Sequence, residues 1–423
     1  MRAHLSVGRV RGTRDFLPED EIARREVISI IEQTFVEFGF SPLDTPALET
    51  GELLLSKAGE SILEEIYHFK DKGGRTIGLR FDHTLPLARV IAENPNIPLP
   101  FRRYAIGKVW RYDRPQAGRY REFTQADVDI VGSPDILADA ECVAAGVTAL
   151  KRLNVPPFTV LYNNRKILFG WGKAVGMSED QITAFLRSVD KWFKIGEEGV
   201  RKELREKELE RYFDSFLDLI VKEPQDIKAK NEEMEEGIEE AMAFAEYAGL
   251  FEIPSRFDIR LARGLDYYTG NIFETYIEGQ EGLGSIASGG RYDHLVALVG
   301  GRDLPATGFS IGVDRLFTIL QESRRVKKRK TVTKVYVAPV KPENRKYALK
   351  VLRLLREANI PSETDVMGRN LRKQLEYAEK MGIPYVVIVG PKEEQTHTAR
   401  LKNMETGEER VLSLKDIASA IPK

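Results

Sequence analysis

The chain has 423 residues, 42% hydrophobic and 30% charged, with 64 basic and 65 acidic side chains for a formal charge of −1. That length exceeds what one compact core usually holds and predicts two or three domains. The charge balance excludes a protein that coats nucleic acid non-specifically, though not a basic groove offset by acid elsewhere. The single Cys142 excludes an intrachain disulfide and a multi-cysteine metal site. The five histidines form no HxxxH pair, which argues against a protein zinc site. No apolar run reaches the roughly 18 residues of a membrane span. "MRAHLSVGRVRGTRDF" has no apolar stretch ahead of a cleavage site. A reducing, cytoplasmic setting is the simplest expectation.

Residues 20–38 predict an amphipathic helix, with Ile28, Ile31, Phe35 and Phe38 at helical spacing. "SPLDTPALE" breaks it with Pro42 and Pro46 and predicts an extended edge segment. "IYHFKDKGGRTIGLR" predicts a hairpin around residues 71–74, and "HTLPLARVIAEN" a short helix. "VWRYDRPQAGRYREFTQADVDI", residues 109–130, predicts a longer antiparallel hairpin, and a helix follows from Ile136 into Leu153. Residues 165–250 are charge-rich and helical in pattern, which suggests a solvated insertion. Strand-like sequence resumes at "SRFDIRLARGLDYYTGNIFETYI". "GLGSIASGGRYD" and "ATGFSIGVDRLFTIL" follow, the last with a helix face of Val313, Leu316, Phe317 and Leu320. "RRVKKRK", six basic residues in seven, predicts a solvated linker. Beyond it the pattern is βαβαββα, with a hairpin at Thr406-Gly407 and a last short helix, a self-sufficient α/β module.

One apparent motif is a decoy. "GLGSIA" fits GxGxxA, with Asp303 at a suitable distance for a ribose contact, but a dinucleotide fingerprint opens a long helix and "SGGRYDHLVALVGG" has room only for a short one. No GxxxxGK[ST] loop is present.

The 109–130 hairpin is more informative, with four arginines and four acids in 22 residues. Strand alternation puts Phe123, Gln125, Asp127 and Asp129 on one face and Thr124, Ala126, Val128 and Ile130 on the other. One face can bury while the other presents Arg111, Gln125 and Asp129 together. A polar face left in water is the alternative, yet Asp and Gln are poor strand formers and an expensive way to make one. Arg263 in "LARGLDYYTG" and Arg315 in "GFSIGVDRL" stand beside glycine-rich strands, where guanidinium groups suit a polyphosphate.

Together these segments resemble the class II aminoacyl-tRNA synthetases, and within them the histidyl-tRNA synthetase family. "SPLDTPALE" resembles motif 1, "KVWRYDRPQAGRYREFTQ" motif 2 and "ATGFSIGVDRL" motif 3; "LARGLDYYTG" and "ASGGRYD" resemble signatures peculiar to the histidine enzymes, and "GTRDFLPED" also fits. The resemblance covers the whole chain. It implies an α+β fold: an antiparallel β-sheet catalytic core flanked by helices over residues 1–325, interrupted by the 165–250 insertion, and an α/β anticodon-binding domain over 331–423.

By the same resemblance, L-histidine and ATP with Mg²⁺ would give a histidyl-adenylate, and the histidyl group would pass to tRNA(His). Arg111 would meet the α-phosphate, Arg315 the γ-phosphate, and Arg263 the α-phosphate as charge builds. Arg121 and Phe123 would complete the ATP site, and Mg²⁺ would sit on the phosphates without protein ligands. Asp82, Thr84 and Gln125 would hold the α-ammonium, and Asp129 and Tyr268, beside Tyr267, would read the imidazole. Arg114, Gln116 and Arg119 would approach the acceptor end, with Arg369, Arg372 and Lys373 as candidates for RNA backbone contact. Motif 1 implies a homodimer. Asp82-His83 stands where bacterial relatives have Glu-Gly, and Asp129 where they have Glu, both closer to the archaeal and eukaryotic branch; Asp314 replaces the usual Glu of motif 3. The rival implied by the same motifs is the synthetase-like regulatory subunit of the histidine-biosynthetic ATP phosphoribosyltransferase, which typically lacks the C-terminal module.

Overall fold

The computed structural model describes residues 8–56, 66–112, 120–263, 267–280, 282 and 284–422, without the side chains of 55 and 56. The chain divides into two compact units. One comprises the chain up to Arg14 together with Val27–Arg325; the other comprises Asp15–Glu26 and Val326 onward.

Helix α1 (Pro18–Glu37) belongs to the first unit from Val27 onward, where it buries Val27, Ile31 and Phe35. The proline-broken segment after it gives two short strands, β1 (Ser41–Pro42) and β2 (Leu48–Thr50), then helix α2 (Gly51–Ser56). Strands β3 (His68–Lys70) and β4 (Thr76–Leu79) form the expected hairpin, pinned by Asp71, which accepts from the Gly73 and Arg75 amides. Helix α3 (Thr84–Glu93) follows, its first turn capped by Asp82, whose Oδ1 accepts from the Leu85 amide at 3.0 Å.

The long hairpin is β5 (Phe101–Trp110) with β6 (Glu122–Val131), in register from Phe101 opposite Val131 to Trp110 opposite Glu122. Helix α4 (Leu137–Arg152) and strand β7 (Phe158–Asn164) lead into the insertion. The insertion is helical throughout its described length: α5 (Arg165–Ala174), α6 (Glu179–Val189), α7 (Trp192–Glu206), α8 (Phe213–Ile220) and α9 (Glu232–Leu250). Its charge pattern conceals a core of its own, since Trp171, Phe185 and Phe216 are buried with ring centroids 5.3–5.5 Å apart. Strands β8 (Ser255–Phe257), β9 (Asn271–Ile277), β10 (Ala287–Arg291) and β11 (Ala306–Gly312) complete the sheet, with α10 (Leu295–Leu298) before β11 and α11 (Val313–Glu322) after it.

Among the described residues the main sheet has eight strands in the order β1-β5-β6-β11-β10-β9-β7-β8, antiparallel except where β1 meets β5 and β7 meets β8. Residues 284–286 lead straight into β10 rather than a long helix, and Asp303 is an exposed partner of His294, so the dinucleotide decoy fails on geometry. Helix α4 lies on the back of the sheet, where Gly146 admits the Phe309 ring. A buried ion pair, Arg291 to Asp139 at 3.0 Å, ties β10 to that helix.

The second unit holds strands β12 (Val335–Pro339), β13 (Ser362–Thr364), β14 (Tyr385–Val389), β15 (Thr398–Asn403) and β16 (Glu409–Ser413), ordered β13-β12-β14-β15-β16. The first three are mutually parallel, joined through α12 (Arg345–Glu357) and α13 (Leu371–Met381), and β14–β15–β16 are antiparallel. Two expectations are corrected. The module has five strands rather than the four of βαβαββα, with a one-turn helix α14 (Pro391–Gln395) after β14. The last segment forms turns, not a helix, because its only fully buried apolar residues are Ile417 and Ile421, too few to make a helical stripe. The basic linker is partly ion-paired within its unit, Lys328 to Asp20 at 2.8 Å and Arg329 to Glu26. Arg372 is exposed and pairs with Glu376 on its own helix; Arg369 lies over the Tyr377 ring at 4.6 Å, and Lys373 is exposed.

Gly146→Ala tests the packing behind the site. Alanine is favoured over glycine in a helix by about 1 kcal/mol. The added Cβ would lie 2.4 Å from two Phe309 ring carbons, and overpacking of a tight core costs about 1–3 kcal/mol. We expect a lower urea midpoint; an unchanged or higher one would show that Phe309 yields freely.

Candidate active site

Residues directly opposite one another on antiparallel strands share a face. On the front face of the sheet this produces two rows. Arg103, Asp129, Gly308, Gly290 and Ile272 form one, and Ala105, Asp127, Ser310, Ser288 and Glu274 the next. Gly107, Gln125 and Gly312 continue the pattern toward the hairpin end. Alternation thus places Gln125 and Asp129 as the sequence predicts. Arg111, just beyond β5, falls on the same side; its Nε donates to the Phe81 carbonyl at 3.0 Å and its guanidinium sits 5.4 Å from the Phe123 ring centroid.

A cavity opens onto these rows, lined by Thr84, Asp127, Asp129, Tyr267, Tyr268, Ser288, Gly289, Tyr292, Gly308, Phe309 and Ser310. Its floor depends on small residues. A Cβ on Gly308 would lie 2.2 Å from Asp129 Oδ1, one on Gly289 2.1 Å from the Gly308 carbonyl, and one on Gly290 2.9 Å from the Tyr268 ring. The rings of Tyr267 and Tyr268 lie against each other with centroids 4.2 Å apart and planes inclined by 50°.

The acids differ in their surroundings. Asp129 is buried and ion-paired with buried Arg103 at 2.7 Å, and Tyr292 donates its hydroxyl to the other oxygen. Asp127, also buried, accepts from Ser310 Oγ at 2.5 Å, and Ser310 in turn accepts from Gln125 Nε2 at 2.8 Å. Gln125 Oε1 is buried without a hydrogen-bond partner. His83 is held neutral, its pKa pushed down to about 4 by burial and by the Arg103 and Arg80 cations; its Nε2 faces the Gly107 carbonyl at 3.3 Å.

The remaining arginines approach from the flanks. Arg263 Nε lies 2.9 Å from Asp190, at the end of α6 in the insertion, and 3.1 Å from Glu274 on the sheet. Arg315, in the first turn of α11, donates to the Ser285 carbonyl, and neighbouring Asp314 accepts from the Thr124 amide at 2.6 Å. Arg121 lies 4.0 Å over the Tyr112 ring. Arg114, Gln116 and Arg119 lie outside the described residues. Among the described residues no three His, Cys, Asp or Glu side chains gather as a metal-ligand set, so a Mg²⁺ here would depend on a bound polyphosphate for most of its oxygens.

The sequence reading gave no role to Asp127, Arg103, Ser310, Tyr292, Asp190 or Glu274. For Asp127 the signal was present, since alternation already put it between Gln125 and Asp129. Arg103 and Ser310 needed the strand register, and Asp190 needed the docking of the insertion.

One buried guanidinium, Arg103, serves both Asp127 and Asp129. Burial outweighs it and pushes both acids up to about 6, aided by the Asp82 charge at both and by the Asp127 charge at Asp129, despite Arg111 near Asp127. Arg80 also senses Asp127. Raised folded-state values stabilise the fold below the ordinary carboxylate range, and that contribution is lost as pH rises through about 6. Ligand-free protein should therefore lose stability relative to Asp127→Asn between pH 4 and 6.5, read as the difference in urea unfolding free energy. A difference flat with pH would show that Asp127 does not titrate in this window.

The chain matches two family models, "Histidyl-tRNA synthetase" over residues 12–316 and "Anticodon binding domain" over 334–423. It is 39% identical over 415 residues to the histidine–tRNA ligase of Helicobacter acinonychis, covering 94% of this chain and 93% of that one. It is 36% identical over 423 residues to that of Pyrococcus furiosus, covering 97% and 98%. Bacterial and archaeal relatives thus match to a similar degree, and any leaning toward one branch rests on the local residues Asp82, His83 and Asp129. Among solved structures, histidyl-tRNA synthetase from Nostoc sp. PCC 7120 superposes with a TM-score of 0.83 at 30% identity over 97% of this chain and 98% of that one. An ATP phosphoribosyltransferase regulatory subunit/histidyl-tRNA synthetase from Bacillus halodurans shares the fold, with a TM-score of 0.75 at 23% identity over 91% and 98%. The chain belongs to the histidyl-tRNA synthetase family of enzymes.

Proposed function

We propose that this chain activates L-histidine with ATP and esterifies it to tRNA(His), and that the site described above does both. In the first step a histidine carboxylate oxygen attacks the α-phosphorus of ATP and pyrophosphate leaves, giving histidyl-adenylate. In the second a hydroxyl of the terminal adenosine attacks the activated carbonyl and AMP leaves. The observation that carries the reading is the arrangement of one sheet face. Buried acids sit at one end of a cavity, while Arg111, Arg263 and Arg315 come from three separate segments of the same unit.

Arg111 meets the α-phosphate and Arg315 the γ-phosphate, with Arg121 and Phe123 beside Arg111. Mg²⁺, where bound, shares the charge of the phosphates. Arg263 meets the α-phosphate as negative charge builds, and two carboxylates fix it beforehand. A preorganised donor of this kind is worth about 3 kcal/mol in other enzymes. Asp129 and Tyr268 read the imidazole, with Tyr267 packed behind. Arg103 and Tyr292 take one site on each Asp129 oxygen, and a carboxylate has about four acceptor sites, so an imidazole N–H can still be received. Asp82, Thr84 and Gln125 face the α-ammonium. Arg114, Gln116 and Arg119 approach the acceptor end of the tRNA, the C-terminal module meets the anticodon, and the chain works as a homodimer in the cytoplasm. The regulatory-subunit alternative gains nothing from the fold likeness, since that neighbour's name carries both roles and the C-terminal module is present here.

Pyrophosphate exchange into ATP, run with each amino acid in turn, tests this. Exchange should occur with L-histidine alone; exchange with proline, or with no amino acid, rejects the reading. Asp129 is tested as asparagine rather than alanine, because truncation would leave Arg103 buried without its partner at a cost of about 3–5 kcal/mol. Asp129→Asn should raise the KM for histidine by roughly 100-fold or more, in the range for unpaired polar groups in a specificity pocket, with the KM for ATP nearly unchanged. An unaltered histidine KM would remove Asp129 from the imidazole.

A further inference from the structure

We infer that Asp127 is the anionic partner of the substrate's α-ammonium, a binding role that falls to neither Gln125 nor Asp129. This rests on the proposed histidine-activating function and goes a step into its pocket.

The first argument is position. Alternate residues on a strand are separated by roughly 6.6 Å, so Asp127 stands about that far from Asp129 toward the hairpin end where Arg111 lies. In histidine the α-ammonium nitrogen and the nearer ring nitrogen are separated by four bonds of roughly 1.5 Å. An imidazole held at Asp129 therefore brings the ammonium to Asp127 and leaves the carboxylate pointing toward the arginines.

The second is charge. Asp127 is buried and lines the cavity, yet among the described residues no lysine or arginine lies within ion-pair distance of it; the nearest buried guanidinium, Arg103, is paired with Asp129. Its hydrogen-bond donor is a neutral hydroxyl, Ser310. A buried carboxylate without its own cation is costly, and an incoming ammonium supplies one. Its pKa, pushed up to about 6, agrees with a charge awaiting a partner.

The third is the state of the alternatives. Asp82 gives one oxygen to the Leu85 amide at the start of α3, and its side chain does not line the cavity. Gln125 does not line the cavity but bonds to Ser310, which does; its buried, unpartnered Oε1 is a neutral acceptor that supplies no charge.

The test compares L-histidine with its des-amino analogue, 3-(imidazol-4-yl)propionate, as an inhibitor of histidine-dependent pyrophosphate exchange. In the wild type the analogue's Ki should exceed the KM for histidine by at least roughly 30-fold, as expected for loss of one partner of a buried charge pair. Asp127→Asn should raise the KM for histidine while leaving the analogue's Ki within a few-fold, so the ratio shrinks by about tenfold or more; Asp127→Glu should restore much of it. An equal loss for both ligands, or an unchanged ratio, overturns the assignment. Should the Asn variant not fold, Ser310→Ala, which releases the Asp127 carboxylate, must change the ratio several-fold, and no change overturns it too. Normal histidine exchange with an unmoved ratio rejects only Asp127, whereas no exchange in the wild type rejects the proposed function itself.

Discussion

The ion pair between Arg103 and Asp129 sets the conditions for everything around it. Both groups are buried on adjacent strands, the second and third of the eight in the main sheet. Taking two ions out of water costs several kcal/mol each, and their attraction offsets this only when the geometry is good. That makes the register of β5 on β6 hard to shift, because a slip of one residue would turn both charges into the apolar back of the sheet. It also dictates the neighbours. Strand β11 must carry glycine opposite Asp129, since any Cβ at 308 would intrude on the carboxylate, and β10 needs glycine where it faces the Gly308 carbonyl. Gly308 of "ATGFSIG" is thus a consequence of the buried charge on the adjacent strand, whereas the glycines of "ASGGRYD" make room for the Gly308 backbone and the Tyr268 ring.

The same logic extends outward through arginines held by carboxylates from other elements. Arg291 joins β10 to α4 through Asp139, with Asn271 donating to the same acid. Arg263 joins the sheet to the insertion through Glu274 and Asp190. Each pair places a cation without using the aliphatic core, and each lies between elements far apart in sequence. Loss of either partner would cost more than an exposed pair, because the remaining charge is buried or half-buried. The insertion is therefore more than a charged appendage: its aromatic core makes it rigid enough for Asp190 to hold an arginine at the edge of the site.

Local periodicity explains what could be read in advance. Period two in "EFTQADVDI" identified the polar face of β6, and the poor strand propensity of its Asp and Gln residues argued that this face was not merely wet. Pro42 and Pro46 marked the short strands, and the short space after "SGGRYD" excluded a nucleotide-binding helix. What could not be read were long-range relations. Arg103 looks like any strand arginine until the register sets it opposite Asp129, and Tyr292 until the chain turns it onto the same acid. In the insertion, Trp171, Phe185 and Phe216 are dispersed among charges over 46 positions, so no local window reveals that they meet. The final segment misleads in the opposite sense: its composition allows a helix, but tertiary packing of Ile417 and Ile421 is satisfied by turns.

Asp82 shows how a local substitution can be absorbed at a distance. An aspartate just before α3 is well suited to cap that helix, and its oxygen does so through the Leu85 amide. A longer glutamate would reach past the cap into the cavity, whereas aspartate is drawn to the backbone it can reach. Asp82 keeps its charge near the site, where Asp127 and Asp129 both sense it, but its side chain does not line the cavity. Strand β6 offers a further acid on the same face at only one position, between Gln125 and Asp129. Asp127 is that position. Its burial beside Asp129 would be unfavourable in an empty site, so the pocket stores a penalty that a cationic substrate relieves. On the proposed assignment, two acids sharing one arginine would favour an amino acid bearing both an ammonium and a ring N–H donor.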